Sequence, residues 1–489
     1  MPKAVTDTDV LIVGAGPVGL FLANECARRA IRYRIVECRP SQSEHSKALA
    51  IFPRTLEIFD MAGVASPIVE RANRVTCASV ISHGRTLARM QFTPHESPYP
   101  YVAMVPQDIT EKLLVDALHL KGRSVEYDST FVSATQADDC VHATLEHQGD
   151  RRDIAAAYVV GCDGAHSAVR HLLNLPFEGA EYHDSFLLAD VETNEALPAD
   201  EMQLCPHELG PLAIFPMSAI RRRIVAMVDK AEDDAPSLAL VRQMLAARAP
   251  AGIEARSLHW SSYFRIHHRQ VAKLRVRRIF IAGDAAHIHS PFGGQGMNTG
   301  LQDVWNLVWK LDFALRGFGG ENLLDSYTAE RRPVIKHVID VTDFMTRAMA
   351  TPSKLAQAAR NTIIPVVSRL APFQHAFVQT LSELGIAYRG SPMVEGPGER
   401  YFDDGLRGGR ICSRFLLLID EAVDASISDA AKQFCASFSE VLELRSVHLP
   451  RATQIMLVRP DGYVAYASGS RDAAAALVDA RSVLERNAG

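Results

Sequence analysis

The chain has 489 residues, 47% hydrophobic and 22% charged, with a formal net charge of −5 and an isoelectric point of about 6.4. That length suits two or three globular domains, and the acidic balance offers no basic field for nucleic acid. Eight scattered cysteines form no CxxC pair, and no apolar run reaches membrane-spanning length. These features argue against a disulfide framework, a metal site and a membrane span, and for the cytoplasm. The start, MPKAVTDTDV, has one Lys and then acids, which is no signal-peptide pattern.

Asp9–Val13 is a short apolar run suited to a strand buried on both faces of a parallel sheet. Gly14-Ala15-Gly16-Pro17-Val18-Gly19 follows, then a helical pattern over Leu20–Arg29 and a strand over Tyr33–Val36 that ends at Glu37. This βαβ unit carries GxGxxG at its first turn and an acid at the end of its second strand, the dinucleotide-binding pattern. Gly14 and Gly16 permit a tight turn and a close pyrophosphate, Gly19 lets helix and strand pack, and Glu37 accepts from a ribose.

Ile109–His119 reads as a helix after Pro106-Gln107, and strands are expected over 124–127, 141–146 and 158–161. The last leads into Cys162-Asp163-Gly164-Ala165-His166-Ser167-Ala168-Val169-Arg170. Strands at 185–193, 210–217, 223–228 and 257–269, with a helix over 235–248, suggest a mainly antiparallel sheet. Ile279–Ala282 resumes the parallel pattern and stops at Gly283-Asp284. Glycines at 293, 294, 296 and 300 then precede a helix over Met297–Arg316, closed by Gly317. Glycines before a helix start expose unpaired N–H groups to a flat or anionic ligand. Helices are expected over 322–348 and 352–384, the second interrupted at Pro365 and Pro372. Pro392–Gly409 reads as a linker. Beyond it lie a strand (415–419), a helix (427–438), a strand (441–448), a hairpin (454–458 and 463–467) turning at Arg459-Pro460-Asp461-Gly462, and a final helix (473–486).

Three motifs, GAGPVG with Glu37, CDGAHSAVR, and AGDAAHIHSPFGGQGMNTGLQDVWNLVWKL, together resemble the class A flavoprotein monooxygenases. The tail is similar to the thioredoxin-like domain of the phenol-hydroxylase and polyketide-hydroxylase branches, without its redox CxxC. The resemblance implies an α/β fold. A Rossmann-like FAD-binding domain comprises 1–75, 101–180 and 275–345, and a mainly antiparallel substrate domain comprises 76–100 and 181–274. A helical connector (346–391), a linker (392–409) and a thioredoxin-like C-terminal domain (410–489) complete the chain. The last is expected to fold separately and to be dispensable for the chemistry.

The resemblance also implies non-covalent FAD, with NADPH or NADH as a transient co-substrate. FAD is expected at Gly14, Gly16, Pro17, Gly19, Glu37, Lys47, Gln107, Val132, Asp163, Asp284, Pro291, Gly294, Gly296, Met297 and Asn298. Val132 is expected to touch adenine through its main chain, and Asp284 to accept from the ribityl hydroxyls. The helix start at Met297 favours negative charge on the reduced flavin. Lys47 stands where the family often has Arg, which forms a bidentate fork that Lys cannot. Arg170 and Lys47 are expected at the nicotinamide, and Phe215, Met217, Pro291 and Phe292 around the substrate.

The implied reaction is hydroxylation of a phenolic or polycyclic aromatic by O2 through a flavin C4a-hydroperoxide, with water excluded. Baeyer–Villiger or epoxidation chemistry, and a FAD-binding accessory protein without turnover, are the alternatives. A halogenase is disfavoured, because Trp260, Trp305 and Trp309 form no WxWxI motif. No catalytic base is singled out among His267, His268, His287 and His289. A homodimer is the expected assembly.

Overall fold

The computed structural model describes residues 6–488 except 44–45, 93–96, 230, 232–233, 291–292, 352, 410–412, 451–452 and 469–471, with the side chains of 181–184, 266–267 and 488 also set aside. In chain order the helices are α1 (Pro17–Arg28), α2 (Pro53–Ala62), α3 (Ala65–Arg71), α4 (Gln107–His119), α5 (Ala168–Leu172) and α6 (Leu238–Arg248). They continue with α7 (Gly296–Arg316), α8 (Glu321–Ala350), α9 (Lys354–Val367), α10 (Ala371–Ser382), α11 (Ala425–Ser437) and α12 (Ala473–Ala488).

The central sheet places Ile279–Ile281, Asp150–Gly161, Thr8–Val13 and Tyr33–Val36 side by side, all parallel. Val10, Leu11 and Ile12 are fully buried, with α1 packed on the strands Thr8–Val13 and Tyr33–Val36, α7 packed on α1, and the strands Ser129–Gln136 and Val141–His147 extending the layer. The strand expected at 124–127 reduces to one bridge, Val36 to Glu126. Asp128 turns the chain with a φ of 54°, and the ladder starts only at Ser129.

A second sheet of eight strands runs in the order His287–Ile288, Ala255–Gln270, Glu178–Thr193, Arg221–Val228, Leu212–Pro216, Glu201–Cys205, Cys77–Ser82, Arg85–Gln91. Only the pair Glu201–Cys205 and Cys77–Ser82 is parallel. The periodicity of 185–193 and 257–269 underestimates two strands of 16 residues each, which pair along nearly their whole length.

Pro365 lies inside α9, one turn from its end, and Pro372 opens α10 rather than interrupting a helix. A proline in the first turn lacks only an N–H that has no helical partner.

The chain beyond residue 410 forms its own sheet, Leu442–Val447, Phe415–Asp420, Ile455–Val458, Val464–Ala467, with the first two strands parallel and the rest antiparallel. It is not a separate body, which corrects the expectation of an independent unit. Trp309 and Phe313 of α7 and Leu323 of α8 share one core with Phe415, Leu417 and Leu457. The segment 392–409 is no free linker either. Glu395 N donates to Ala465 O at 2.7 Å and Tyr401 N to Gly462 O at 2.7 Å, so it runs as an extra edge of the hairpin.

The hairpin turn is driven into α7 and α8. Arg459, fully buried, donates to Glu330 Oε1 at 2.5 Å and Oε2 at 2.9 Å, and to Asp461. Lys310 Nζ reaches Glu330 Oε2 at 2.7 Å, and Trp305 Nε1 reaches Asp461 O at 3.0 Å. Burial opposes ionisation of Glu330, yet Arg459 and Lys310 hold its carboxyl far below the usual range. Burial brings the Lys310 ammonium down to about 8 against the pull of Glu330.

Candidate active site

The first turn of the central sheet is built for close approach. Gly14 has a φ of 101°, and a Cβ there would meet Cys162 O at 2.5 Å. A Cβ on Gly16 would meet nothing within 4 Å. The turn therefore leaves an open notch above the start of α1, with Pro17 at the first helical position. Glu37, buried at the second strand's end, accepts from Ala15 N at 2.8 Å and from Arg39 Nε at 2.8 Å. Burial alone would raise its carboxyl. The bonds from Arg39 and the Ala15 amide outweigh that and hold it below the ordinary value.

Val132 is the bulged residue between the pairs Phe131–Leu145 and Ser133–Thr144. Its peptide is therefore outside the ladder, on the strand that leaves Glu37.

Asp284 sits in the short 3₁₀ turn Gly283–Ala285 that follows the parallel strand Ile279–Ile281. Its side chain is exposed, and it has no hydrogen-bond partner among the described residues. Crowding by protein raises its carboxyl against the pull of His287 and Lys47. Lys47 is exposed and also unpartnered among the described residues, close enough for its charge to act on Asp284. Three groups brace the Lys47 loop. Arg223 Nη1 donates to Lys47 O at 2.9 Å and Ala48 O at 3.1 Å, while Asp190 binds the rest of that guanidinium at 2.7 and 2.9 Å. Gln107 Oε1 accepts from Ala48 N at 3.1 Å, and its Nε2 donates to Glu111.

Behind Asp284 lies a buried network that no local motif announces. Asp303 of α7 accepts from Gly283 N at 3.1 Å, is 2.7 Å from His287 Nε2, and accepts from Arg331 Nε at 2.8 Å. His287 therefore anchors the strand end. His289 Nε2 is buried without a partner near Gly296, and burial pushes its imidazolium down to about 4. It stays neutral at ordinary pH.

Gly294 has a φ of 65° and packs against Ala50 and Phe52. The Asn298 side chain is consumed within the protein: Oδ1 accepts from Phe52 N at 2.9 Å and Nδ2 donates to Ala50 O at 2.9 Å. What α7 offers outward is main chain, the amides of Gly296, Met297 and Asn298 at its first turn. Facing Gly293 and Gly294, an apolar cleft is walled by Phe52, Met104, Met202, Leu204, Phe215, Met345 and Leu381. Met217 belongs to the same apolar cluster but lies beyond the cleft wall. Pro291 and Phe292 lie outside the described residues.

Asp163 accepts from Val169 N at 3.1 Å with one oxygen, while the other is buried without a partner. Arg170 departs from expectation. It is 4% exposed, donates to Ala285 O and Ala165 O at 3.2 and 3.0 Å, and lies over the Phe177 ring. A guanidinium so placed clamps the 162–170 segment to the Asp284 turn and is not available to a nicotinamide.

The notch over Gly16, the unpartnered Asp284 and Asp163 Oδ1, and the amides at the start of α7 fit an extended dinucleotide whose ring ends beside Gly294. The comparisons agree. A family model described as "FAD binding domain" matches residues 7–342. The 6-methylpretetramide 4-monooxygenase of Streptomyces rimosus is 34% identical over 410 residues, 82% of this chain and 73% of that protein. The rifampicin monooxygenase of Streptomyces venezuelae is 32% identical over 475 residues, 94% of this chain and 95% of that one. The solved structure of the anhydrotetracycline hydroxylase OxyS from Streptomyces rimosus superposes with a TM-score of 0.80 at 28% identity, covering 99% of this chain and 100% of that one. The chain belongs to the FAD-binding-domain family of aromatic monooxygenases, and it is a flavin-dependent enzyme of that family, working with FAD and NAD(P)H.

Proposed function

We propose that the enzyme hydroxylates a phenolic or polycyclic aromatic compound bound in the cleft between Gly293–Gly294 and the eight-stranded sheet. The observation that carries this reading is the chemistry of the wall: every described side chain that lines it is apolar. A flat hydrocarbon surface gains from burial there, and a small polar substrate does not. Among the described residues no acid or base lines the cleft, so in this reading the substrate's own phenol makes the ring electron-rich. The named substrates of the relatives, 6-methylpretetramide, rifampicin and anhydrotetracycline, support the reading.

Bound FAD supplies the electrons taken from NAD(P)H and the place where O2 is activated. In this reading Gly14, Gly16, Pro17 and Gly19 admit its pyrophosphate, and Asp163 orients the same region. Glu37 and the Val132 main chain hold the adenosine. Asp284 and Gln107 accept from or donate to the ribityl chain. The amides at Gly294, Gly296, Met297 and Asn298 donate to the ring edge, where the helix start favours negative charge. Phe215 walls the substrate on the side that faces Gly293 and Gly294, and Pro291 and Phe292, expected at the ring and the substrate, fall outside the described residues. Lys47, on a braced loop near Asp284, meets the nicotinamide co-substrate. The apolar wall excludes water from the reacting ring.

The domain division belongs to the same reading: 1–75, 101–180 and 275–345 bind FAD; 76–100 and 181–274 bind substrate; 346–391 connect; 392–409 edge the hairpin; and 410–489 are thioredoxin-like without a CxxC. The strand order of that last sheet and its parallel pair support the assignment. No helix among the described residues is long and apolar enough to cross a membrane, and the seven described cysteines are free. Both support a cytoplasmic enzyme. The exposed apolar side chains of Leu355, Ile363, Val366 and Leu370 support a homodimer.

The test is NAD(P)H consumption over a panel of phenolic and polycyclic aromatics, with H2O2 measured in parallel. Faster consumption without extra peroxide identifies a substrate. Stimulation only by small non-aromatic compounds would overturn the reading.

A further inference from the structure

Two buried acceptors, on residues already joined by one hydrogen bond, lie unsatisfied where α10 meets α7. Glu383 stands at the C-terminal cap of α10 with a φ of 61° and an exposure of 2%. Its Oε2 accepts from Gln302 Nε2 of α7 at 2.5 Å. Its Oε1 is buried without a partner, and so is Gln302 Oε1. An ionised carboxylate offers only acceptors, so it would leave both oxygens unsatisfied in the core. Turning the amide over would bring oxygen against oxygen. One hydrogen on Glu383 Oε1 satisfies both, by donating to Gln302 Oε1 while Gln302 Nε2 donates to Glu383 Oε2.

We propose that Glu383 and Gln302 form this closed acid–amide pair, and that the pair is a positioning element which latches α10 across the substrate cleft. Leu381 of α10 lines the cleft, and Val378 packs beside it against Phe52 and Met104. A second tie, Gln295 Nε2 to Thr380 O at 3.1 Å, joins α10 to the glycine loop itself. The latch therefore spans from the helix whose first turn faces the flavin ring to the helix that closes the apolar wall. Its part in the reaction rests on the cleft being the substrate site, whereas the pair itself does not.

The charged surroundings favour the neutral acid. Burial raises the Glu383 carboxyl to about 8, against Arg331 and the Gln302 bond and with help from Asp303. Arg331 of α8 is the facing cation, and it is already committed to Asp303, Tyr388 and the Thr299 carbonyl. Asp303 of α7 is the facing anion. As pH rises through about 8, the proton leaves, two acceptors and a charge are stranded, and α10 loosens.

The test compares the FAD-loaded parent with Glu383→Gln, whose second amide can close the same ring at any pH. Hydrogen exchange of residues 371–382 is measured at pH 7 and pH 9, each as a ratio of parent to variant. The ratio should be near one at pH 7 and rise about tenfold at pH 9. Peroxide released per NAD(P)H consumed with an aromatic substrate should climb over the same range in the parent and stay flat in the variant. Infrared spectra of the parent should hold a protonated-carboxyl band at pH 7 that titrates near pH 8, and this reading stands even if the variant does not fold. A parent without that band, or equal exchange ratios at both pH values, overturns the pair. A pH-dependent exchange ratio without a change in peroxide keeps the pair and overturns its role at the cleft.

Discussion

A Cβ placed on Gly19 would lie 2.0 Å from the carbonyl oxygen of Gly14, while one placed on Gly16 would touch nothing. The two glycines of one motif therefore answer to different demands. Gly19→Ala forces backbone apart and should lower stability by about 1–3 kcal/mol, read by urea unfolding of the apo protein. Gly16→Ala should leave that curve unchanged and weaken FAD binding instead, because its methyl fills the notch meant for the ligand. Equal loss of stability in both variants would show that the notch is only a packing defect.

Asp284→Ala removes a carboxylate that has no hydrogen-bond partner among the described residues. Folding of the apo protein should be unaffected. FAD affinity should fall by about 10–100-fold, the loss of one or two charge-assisted hydrogen bonds worth about 1.5–3 kcal/mol. Flavin fluorescence titration measures it, and undiminished affinity in the folded variant would exclude Asp284 from the site.

Asp303 behaves oppositely, because three partners depend on it. Burial would raise its carboxyl, but His287 and Arg331 outweigh that and hold it below the ordinary value. A carboxyl lowered by folding adds stability above its unfolded value, and that stability is lost as pH falls toward the lowered one. Asp303→Asn should therefore cost about 3–5 kcal/mol at pH 7 by stranding Arg331, and should flatten the acid side of the stability–pH curve. Denaturant unfolding between pH 3 and pH 7 checks both (a pH range set by the ordinary carboxyl values).

Arg459→Met is the matching test of the tail. It leaves Glu330 buried with Lys310 and Asn306 but without its guanidinium. Stability should drop by about 3–5 kcal/mol, and a chain stopped before residue 410 should be insoluble. A soluble, flavin-loaded truncation would show that α7 and α8 can cover these charges by themselves.

How far the sequence reaches depends on the separation of the partners. The Gly14–Gly19 turn, Glu37 and the 283–300 run are legible because their geometry is local: a strand, a turn and a helix start within a few residues. Val132 could be placed on a strand but not at a bulge, which depends on register with 141–147. Arg223 holds the Lys47 loop across 176 residues, and Gln302 meets Glu383 across 81. Neither pair leaves a periodicity or a spacing to read. Arg170 misleads for the same reason. Its motif position predicts a ligand, but the carbonyl of Ala285, 115 residues on, claims the side chain. The tail reads as a separate domain because its strands and helices alternate neatly, and that pattern says nothing about the charge at the tip of its hairpin.

That hairpin has a consequence for how the chain matures on the ribosome. Glu330 is made 129 residues before the arginine that neutralises it. At about 5–20 residues per second, α7 and α8 wait on the order of 10 seconds with an acid and a lysine at a face destined to be sealed. During that interval Glu330 has Lys310 as a partner but lacks its guanidinium. The last hairpin to emerge thus acts as a stopper, and a message cut short should yield a product that exposes this face to the cell's proteases.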